Sequence, residues 1–335
     1  MSSKVEKIVV TGATGFAGSH ILECFGERAD VIAACRTKEK LPEYYQKEAV
    51  TGDLRDDAYI EVLSECADVL CHAASWAELN GSVADSKREF LEPTLKLIDA
   101  AAAAGVKRFV FLSAITSRPI EEGRVHTALA LEKIWAHYAS IVQIEKYLKE
   151  VSHNSKMEIV ILRAGYFTGK NYALGLLPIL LPRMKTHLVP YIENGNTTLP
   201  LIDGRDLGEA FVLASTASLK SRFNVTDVVG KEIPTVKEVF GYLHEEYGYP
   251  LPHFSVSFSI AYLFARFMRA LYKVLPGDPL IVPSIVLLLE ETHASNENAK
   301  ALLGYKPEVD WRESVDLQIA QMQEEQKTNM RMNKQ

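Results

Sequence analysis

The sequence predicts an α/β fold, in which a doubly wound parallel sheet is joined to a smaller C-terminal lobe. Three observations support this fold class. Strand-like and helix-like segments alternate through the first half of the chain, and a glycine-rich turn links the first strand to the first helix. The second half is less regular and richer in proline and aromatic residues. Such alternation is typical of a parallel sheet with helices on both faces.

The first half is predicted to contain six strands connected by helices. Short apolar runs predict strands Ile8–Val10, Val31–Cys35, Glu48–Thr51, Val69–His72, Phe109–Ser113 and Ile159–Arg163. Helical periodicity between them predicts helices Phe16–Gly26, Ala58–Cys66, Phe90–Ala104 and Ala130–Val151. Gly105 follows the third of these helices, and we expect it to end that helix in a left-handed conformation.

The second half is predicted to be mainly helical. Its periodic segments are Leu174–Met184, Asp206–Ala217, Val236–Tyr247 and Ile260–Val274. Asp206 is followed three residues later by Glu209, which resembles a capping box. We therefore expect Asp206 to cap its helix.

The bulk composition is that of an acidic globular chain. Its 335 residues are 47% hydrophobic, enough for a sizeable core, and its net charge of −6 argues against a general nucleic-acid binder. The four cysteines show no CxxC spacing, so we expect core residues in a reducing, cytoplasmic setting rather than disulfides or metal ligands. We see no signal peptide, and no run reaches the roughly 18 apolar residues of a membrane span.

The turn Thr11–Gly18 (TGATGFAG) predicts a phosphate-binding site. It follows a buried strand and opens a helix, so its backbone N–H groups point at an anion. Gly12 permits the turn, Gly15 lets the backbone approach a pyrophosphate, and Gly18 lets the helix lie close to the strand. This is the arrangement of a Rossmann-type dinucleotide-binding fold, and a purely structural turn is the alternative. The residues of the turn assigned to the cofactor are Gly12, Thr14, Gly15, Phe16 and Gly18.

The residues after the second, third and fourth strands indicate how the cofactor is bound. An acidic residue after the second strand would bind the ribose 2′-hydroxyl of NAD. This chain has Arg36, which can pair with a 2′-phosphate, so NADP(H) is favoured over NAD(H). A solvated basic turn is the alternative interpretation. Asp53 and Leu54 are assigned to the adenine edge, and the small Ala73 and Ala74 let the cofactor pass close to the backbone.

The motifs of the chain, and their order along it, resemble those of the extended short-chain dehydrogenases/reductases, which are NAD-dependent epimerase/dehydratase-like proteins. The resemblance is strongest to the dihydroflavonol-reductase and 3β-hydroxysteroid-dehydrogenase branch. It covers nearly the whole chain through TGATGFAG, GDL, HAAS, GVKRFVFLSA, LRAGYFTG, PLIDGRDLGEA, FNVTD and LLGYKPEVDW. It implies a cofactor-binding domain over 1–165 with contributions from about 200–228, and a substrate lobe mainly over 166–325. It also implies a homodimer formed through the long helix. The polar tail over 326–335 is expected to fray.

The chain departs from this family at the residues that carry the chemistry. Members usually have a Tyr-x-x-x-Lys motif on the long helix, followed four residues later by a Glu. Aligning Glu145 with that Glu places Ile141 at the Lys position and His137 at the Tyr position. A shift of one residue gives Tyr138 instead, still without the Lys.

Three residues remain candidates for catalysis: Ser113, His137 and Tyr138. Ser113 aligns with the first serine of the family's strand end, whereas Ala114 takes the place of the usual catalytic serine. An imidazole titrates near neutral pH and could protonate an alkoxide. Each candidate also has a structural interpretation: a serine bonded to the backbone, a helix histidine without chemistry, and a packed aromatic ring.

The segment 258–275 is apolar with a basic stripe formed by Arg266, Arg269 and Lys273. Such a helix most often forms the lid of a substrate lobe, and it can also lie peripherally on a membrane surface. Both interpretations are kept. In either case the substrate is expected to be an apolar small molecule.

Two functions therefore remain open. The first is an NADP(H)-binding oxidoreductase with an atypical active site, acting on an apolar carbonyl or hydroxyl compound. The second is a catalytically silent NADP(H)-binding sensor or regulatory protein. The two functions differ in whether a side chain handles the proton, and a positioned acid or base contributes about 10²–10⁴-fold to the reaction rate. No metal site is expected.

Overall fold

The computed structural model of the chain describes residues 6–117, 135–172, 175–272, 274 and 281–332. In this part of the chain a central parallel sheet has seven strands: β1 (Lys7–Thr11), β2 (Asp30–Cys35), β3 (Ala49–Thr51), β4 (Val69–His72), β5 (Arg108–Ala114), β6 (Glu158–Ala164) and β10 (Phe223–Val228). The six predicted strands are confirmed, each to within one residue at either end. Two smaller parallel pairs join β7 (Tyr166–Thr168) to β9 (Leu201–Asp203) and β8 (Tyr191–Ile192) to β11 (Ser255–Val256).

The strand order of the central sheet is β3-β2-β1-β4-β5-β6-β10. This is a doubly wound order, in which the chain proceeds outward in opposite directions from β1 and β4. Thr11, at the end of β1, lies opposite Ala34 of β2 and His72 of β4. The carboxyl ends of these strands therefore meet at the crevice where such sheets bind ligands. The predicted α/β fold class is confirmed.

The helices connect and cover these strands. In chain order the α-helices of the described residues are α1 (Phe16–Phe25), α2 (Asp57–Cys66), α3 (Val83–Ser86), α4 (Glu92–Ala104), α5 (Ala136–Asn154), α6 (Leu176–Met184), α7 (Gly204–Thr216), α8 (Val236–Tyr247), α9 (Phe258–Leu271), α10 (Pro283–Leu288), α11 (Glu297–Leu303) and α12 (Trp311–Met332). A π-helical segment, Lys87–Leu91, joins α3 to α4. Gly105 ends α4 with a φ of +79°, as expected. Residues 130–134 and Leu174, where two helices were predicted to begin, lie outside the described residues.

Helices cover both faces of the sheet because side chains alternate along each strand. Ile8 and Val10 of β1 pack with α1 and α7, whereas Val9 between them packs with α2 on the opposite face. On that second face, α4 and α5 cover Phe109 and Phe111 of β5. Full burial of such a ring contributes about 1.5–3 kcal/mol relative to exposure. The sheet is thus a firm platform for the loops at its carboxyl edge.

The C-terminal half builds two further apolar cores. Helices α6, α8 and α12 share one of them, which Leu199 and Leu201 complete. Helices α9 and α10 share the other with Trp135 and Tyr138 from the start of α5. The region around α5 is therefore in direct contact with α9.

The cap predicted at Asp206 is wrong. Helix α7 begins at Gly204, and the preceding Asp203 is its N-cap, with a side chain that accepts a hydrogen bond from the backbone N–H of Arg205 at 2.8 Å. Asp206 lies in the first turn, where its carboxylate accepts backbone hydrogen bonds from Glu308 at 2.9 Å and Val309 at 3.2 Å. It ties the C-terminal segment to α7.

The C-terminal tail also differs from the expectation. Helix α12 continues to Met332, so the tail expected to fray from residue 326 is helical over its described part. The beginning of α12 is fixed by the buried Trp311, Val315 and Ile319. Farther along, the helix is polar and exposed, and Gln321 donates a hydrogen bond to Glu325 one turn later at 2.9 Å.

Candidate functional site

The glycine-rich turn between β1 and α1 is so closely packed that two of its positions admit only glycine. Gly12 has a φ of +70°, and a Cβ there would lie 2.6 Å from the backbone nitrogen of Ala74. A Cβ on Gly18 would lie 2.1 Å from the carbonyl oxygen of Gly12. Gly15 is different, because its nearest neighbour would be the same Gly12 oxygen at 3.3 Å. Gly12 and Gly18 shape the turn, whereas Gly15 lies on its exposed side.

Helix α1 begins without a side-chain cap. Its N-cap is Gly15, and no acidic residue lies in its first turn. By contrast, side chains cap α2, α7, α8 and α9, as the N-cap hydrogen bonds of Asp56, Asp203, Thr235 and Ser257 show. The first N–H groups of α1 are therefore not bonded to a capping side chain, and their partial positive charge is available to an anion. The backbone fits a dinucleotide phosphate.

Aromatic side chains form one wall beside this turn. The Phe16 ring lies 4.6 Å from that of Tyr172 and 5.2 Å from that of Phe167, measured between centroids. Thr14 is exposed next to them. The predicted cofactor residues of the turn thus lie together at the carboxyl edge of the sheet.

His72 holds the ends of β1 and β4 together, a role that the sequence did not reveal. Its Nδ1 lies 2.7 Å from Thr11 Oγ1, and its Nε2 lies 3.0 Å from Thr94 Oγ1. Full burial lowers the pKa of His72 to about 3, so the ring is neutral. This clamp fixes the place where Ala73 and Ala74 pass beside Gly12.

Arg36 and Asp53 follow β2 and β3 at the same edge. The Arg36 side chain is exposed and makes no hydrogen bond or ion pair with any residue that the structure describes. Asp53 is bound by Arg55, whose Nη2 lies 2.7 Å from Oδ2 and whose Nε lies 2.9 Å from Oδ1. The hydrogen bonds from Arg55 lower the pKa of Asp53 to about 2. Leu54 is half-buried and packs toward α2.

A buried polar network lies where β5, β6 and α5 meet. Ser113 donates to Glu145 Oε1 at 2.5 Å, and Ser117 donates to the same oxygen at 2.6 Å. Arg163 of β6 donates to Glu145 Oε2 at 2.8 Å, and both partners of this ion pair are about 10% exposed. Sequence analysis used Glu145 only to align the helix. The geometry shows that its carboxylate fixes α5 against the sheet.

The candidate residues on α5 point in different directions. His137 is buried with its ring centroid 5.3 Å from that of Phe90, and its Nδ1 has no hydrogen-bond partner among the described residues. Burial lowers the pKa of His137 to about 4. Tyr138 is buried on the adjacent face, stacked on Trp135 at a centroid distance of 5.6 Å. Ile141 is 4% exposed and belongs to the core over the sheet.

The lysines near the motif do not change this picture. Lys146 is exposed, next to the buried Glu145 on the helix. Lys133 lies outside the described residues.

Within the described residues, no three His, Cys, Asp or Glu side chains converge as a metal site would require. A search of the same residues found no helix of the length and apolarity that a membrane span needs.

Comparison with known proteins agrees with the glycine turn and the sheet order. Residues 8–226 match the profile of the NAD dependent epimerase/dehydratase family. The chain belongs to this family. With the doubly wound sheet, this membership confirms the resemblance to the extended, epimerase/dehydratase-like short-chain dehydrogenases/reductases. The family's cofactor is a nicotinamide dinucleotide.

Individual relatives are distant. A segment of 121 residues is 29% identical to 3 beta-hydroxysteroid dehydrogenase/Delta 5-->4-isomerase of Mycobacterium tuberculosis, covering 34% of this chain but only 33% of that enzyme. Cinnamoyl-CoA reductase 1 of Arabidopsis thaliana is 25% identical over 270 residues, which are 73% of this chain and 76% of the relative. The crystal structure of gox2253 superposes with a TM-score of 0.75 at 20% identity, over 96% of this chain and 98% of that one. Because this identity is only 20%, the similarity to gox2253 shows a shared fold and nothing more.

Proposed function

We propose that this protein is an NADP(H)-dependent oxidoreductase that acts on an apolar carbonyl or hydroxyl compound with an atypical active site. The observation that carries the proposal is the turn at Gly12–Gly18. Its close-packed glycines and the uncapped start of α1 offer N–H donors to a pyrophosphate. Backbone groups would bind the pyrophosphate, so this binding does not depend on the side chains that perform the chemistry.

The preference for NADP(H) is supported by Arg36. Its guanidinium is exposed at the end of β2, without an ion pair to any described residue, and so is available to a 2′-phosphate. Asp53 has its carboxylate bound by Arg55, two residues along the chain. We infer that Asp53 contributes to the adenine edge mainly by shaping the loop, with Ala73 and Ala74 lining the opposite side.

The proton that accompanies reduction is assigned to His137, with Tyr138 as the second candidate. The chemistry that the nicotinamide supplies when bound is hydride transfer. Burial keeps His137 neutral at pH 7, where a neutral imidazole is a weak acid. An alkoxide formed beside it would favour the imidazolium, because a nearby negative charge raises the pKa of a histidine. His137 would then take up a proton from solvent, pass it to the alkoxide oxygen to form the hydroxyl, and return to its neutral form.

Ser113 is assigned a positioning role. Its hydroxyl proton is donated to Glu145, so in this arrangement it has no proton to offer a substrate oxygen. The bond instead joins the end of β5 to α5, the helix that carries His137. Ser113 therefore acts on the chemistry through the placement of this helix.

The apolar nature of the substrate is supported by the core shared by α5 and α9. Trp135, Tyr138 and Phe258 contribute large aromatic surfaces there. In the part of the chain that the structure describes, buried polar atoms without a hydrogen-bond partner occur on Trp135 (Nε1), His137 (Nδ1) and Tyr262 (OH). Buried polar groups are normally satisfied. A largely apolar ligand with one polar group fits such surroundings.

The test is NADPH oxidation with a panel of apolar ketones and aldehydes. We expect His137→Gln to lower kcat about 100-fold, within the usual range for a positioned acid, and to leave the Kd for NADPH unchanged. Tyr138→Phe is the matched variant and is expected to change kcat less than threefold. If both variants retain full turnover, the assignment of the proton is wrong.

A second candidate function is a catalytically silent NADP(H) sensor. The specific observation in its favour is that Ile141, at the aligned Lys position, is buried in the core and cannot bind a ribose. This candidate predicts NADPH binding without turnover of any compound in the panel. Turnover that is lost on changing His137 would exclude it.

A further inference from the structure

Helix α9 carries an apolar face that points away from the protein. Ile260, Leu263, Phe264 and Phe267 follow the i, i+3, i+4, i+7 spacing of one helix face. Their exposed fractions lie between 47% and 68%. Together with Phe254 and Val274, they account for six of the ten exposed large hydrophobic residues in the part of the chain described. We call the four residues of α9 the outer face.

The outer face is not needed to hold α9 in place. A different face, formed by Phe258, Ala261 and Ala265, is buried against Val286 and Leu287 of α10. The helix is therefore already packed through one apolar face while it exposes another. Contiguous exposed apolar surface of this kind marks an interaction site in soluble domains.

The charge of the segment that carries the outer face is the reverse of that of the whole chain. The protein carries a net charge of −6, and acidic residues occur about once in every eight. Yet the stretch from Tyr249 to Gly277 contains no Asp or Glu, whereas it contains Arg266 and Arg269. Arg266 is exposed beside Phe267. A partner that fits this surface is apolar and negatively charged.

We propose that α9 docks on an anionic phospholipid surface, lying in the plane of the membrane with the outer face among the lipids. Basic residues beside exposed Leu and Phe side chains are typical of interfacial helices. The helix has 14 residues and a length of about 21 Å, shorter than the hydrocarbon thickness, which agrees with lying on the bilayer. An isologous contact with a second copy fits less well, because it would bring like-charged arginines to the same interface.

Docking in this orientation would place the core shared with Tyr138 next to the lipid. An apolar compound dissolved in the membrane would then reach the protein on the side of α9. The proposal does not depend on the reaction or on the nucleotide, so it can fail or succeed separately from the proposed function.

The experiment is flotation of the whole protein with vesicles of phosphatidylcholine alone or with about one third phosphatidylglycerol. We expect partition to the anionic vesicles and little to the neutral ones. The double variant Leu263→Asp/Phe267→Asp is expected to lose at least about 30-fold in partition. Reversal of one charge in Arg266→Glu is expected to cost about 30-fold on anionic vesicles only. Val62→Asp, which removes an exposed apolar residue of α2, is the matched control and should float like the wild type.

NADPH titration and circular dichroism of each variant show whether it remains folded. Two results would overturn the proposal. The first is no partition of the wild type to either vesicle, with sedimentation velocity showing a dimer that Leu263→Asp/Phe267→Asp converts to a monomer. The second is no partition together with a raised KM for apolar substrates in the double variant, which would make α9 a lid. Equal partition of Arg266→Glu and the wild type would exclude the role assigned to charge.

Discussion

The turn after β1 and the first half of α5 lie at the same sheet edge but present opposite kinds of surface. At the turn, backbone N–H groups of α1 have no side-chain cap, and Arg36 nearby makes no hydrogen bond or ion pair with a described residue. On α5, the aligned positions hold a neutral buried histidine and a core isoleucine. The first region therefore presents exposed donors and an exposed charge, whereas the aligned positions of the second are buried.

This difference bears on the proposed function, because nucleotide binding and acid–base chemistry would depend on different groups. The proposed phosphate site is built from main-chain donors and glycines, so replacement of side chains elsewhere would leave it intact. Acid–base catalysis depends on particular side chains at particular pKa values. In the α5 region, Ser113 and Glu145 hold the helix against the sheet.

The largest effect should come from the network that fixes α5. Glu145→Ala leaves Arg163 as a buried charge without its carboxylate, which typically costs about 3–5 kcal/mol of unfolding free energy. Urea denaturation measures the change. Glu150→Ala, an exposed acid on the same helix, is the control and should stay within about 0.5 kcal/mol. A loss below about 1 kcal/mol for Glu145→Ala would show that the network does not hold the helix.

Acid sensitivity should distinguish His137 from ordinary helix histidines. Because its folded pKa of about 4 lies below its ordinary value of 6.5, its contribution to stability is complete above pH 6.5 and is lost as the pH falls through about 4. At pH 4 the loss is about 3 kcal/mol. His137→Gln should remove this part of the decline between pH 7 and pH 4. His153→Gln, an exposed residue of the same helix, should leave the decline unchanged, and an equal decline in both variants would contradict the buried neutral state.

The glycine turn should respond to a single methyl group. Gly15→Ala places a Cβ on the side where a pyrophosphate would approach, and NADPH affinity should fall at least about tenfold. Gly241→Ala is the control, because a Cβ there meets nothing within 4 Å. It should stabilise α8 by up to about 1 kcal/mol without changing nucleotide affinity. Isothermal titration with NADPH reports both results, and unchanged affinity in Gly15→Ala would mean that the turn is only structural.

The smallest effect concerns the choice between cofactors. Arg36→Ser should weaken NADPH binding by about tenfold, the lower end of the value of a charge-assisted contact to a phosphate, and should leave NADH binding nearly unchanged. Lys38→Ser, two residues along the same exposed loop, should have less than a threefold effect. Equal losses for NADPH and NADH in Arg36→Ser would assign the arginine to adenine stacking instead.

The central sheet could be predicted because buried parallel strands are continuous apolar runs, as Val69–Cys71 is. The seventh strand, β10, was foreseen only as a contribution from about 200–228, since its sequence FNVTDV alternates polar and apolar residues. The short helices α10 and α11 give too few turns for a periodic signal. The cap of α7 was misplaced because Asp203 and Asp206 both fit a capping position, and only the helix start at Gly204 decides between them.

One part of the candidate site could likewise be predicted from the sequence, and another part could not. The glycine turn could be predicted because its pattern is contiguous in the sequence. The network of Ser113, Glu145 and Arg163 could not, because the residues are 18 and 32 positions apart and meet only through the pairing of Ser113 with Arg163 in the sheet. The clamp at His72 likewise joins residues 61 positions apart. Tertiary contacts of this length leave no local pattern.

A titration of the wild-type protein with NADPH and NADH, followed by nicotinamide fluorescence, tests the central claim most directly. We predict saturable binding of both, with NADPH at least about tenfold tighter because of the added contact to Arg36. No saturable binding of either nucleotide at millimolar concentration would contradict the account.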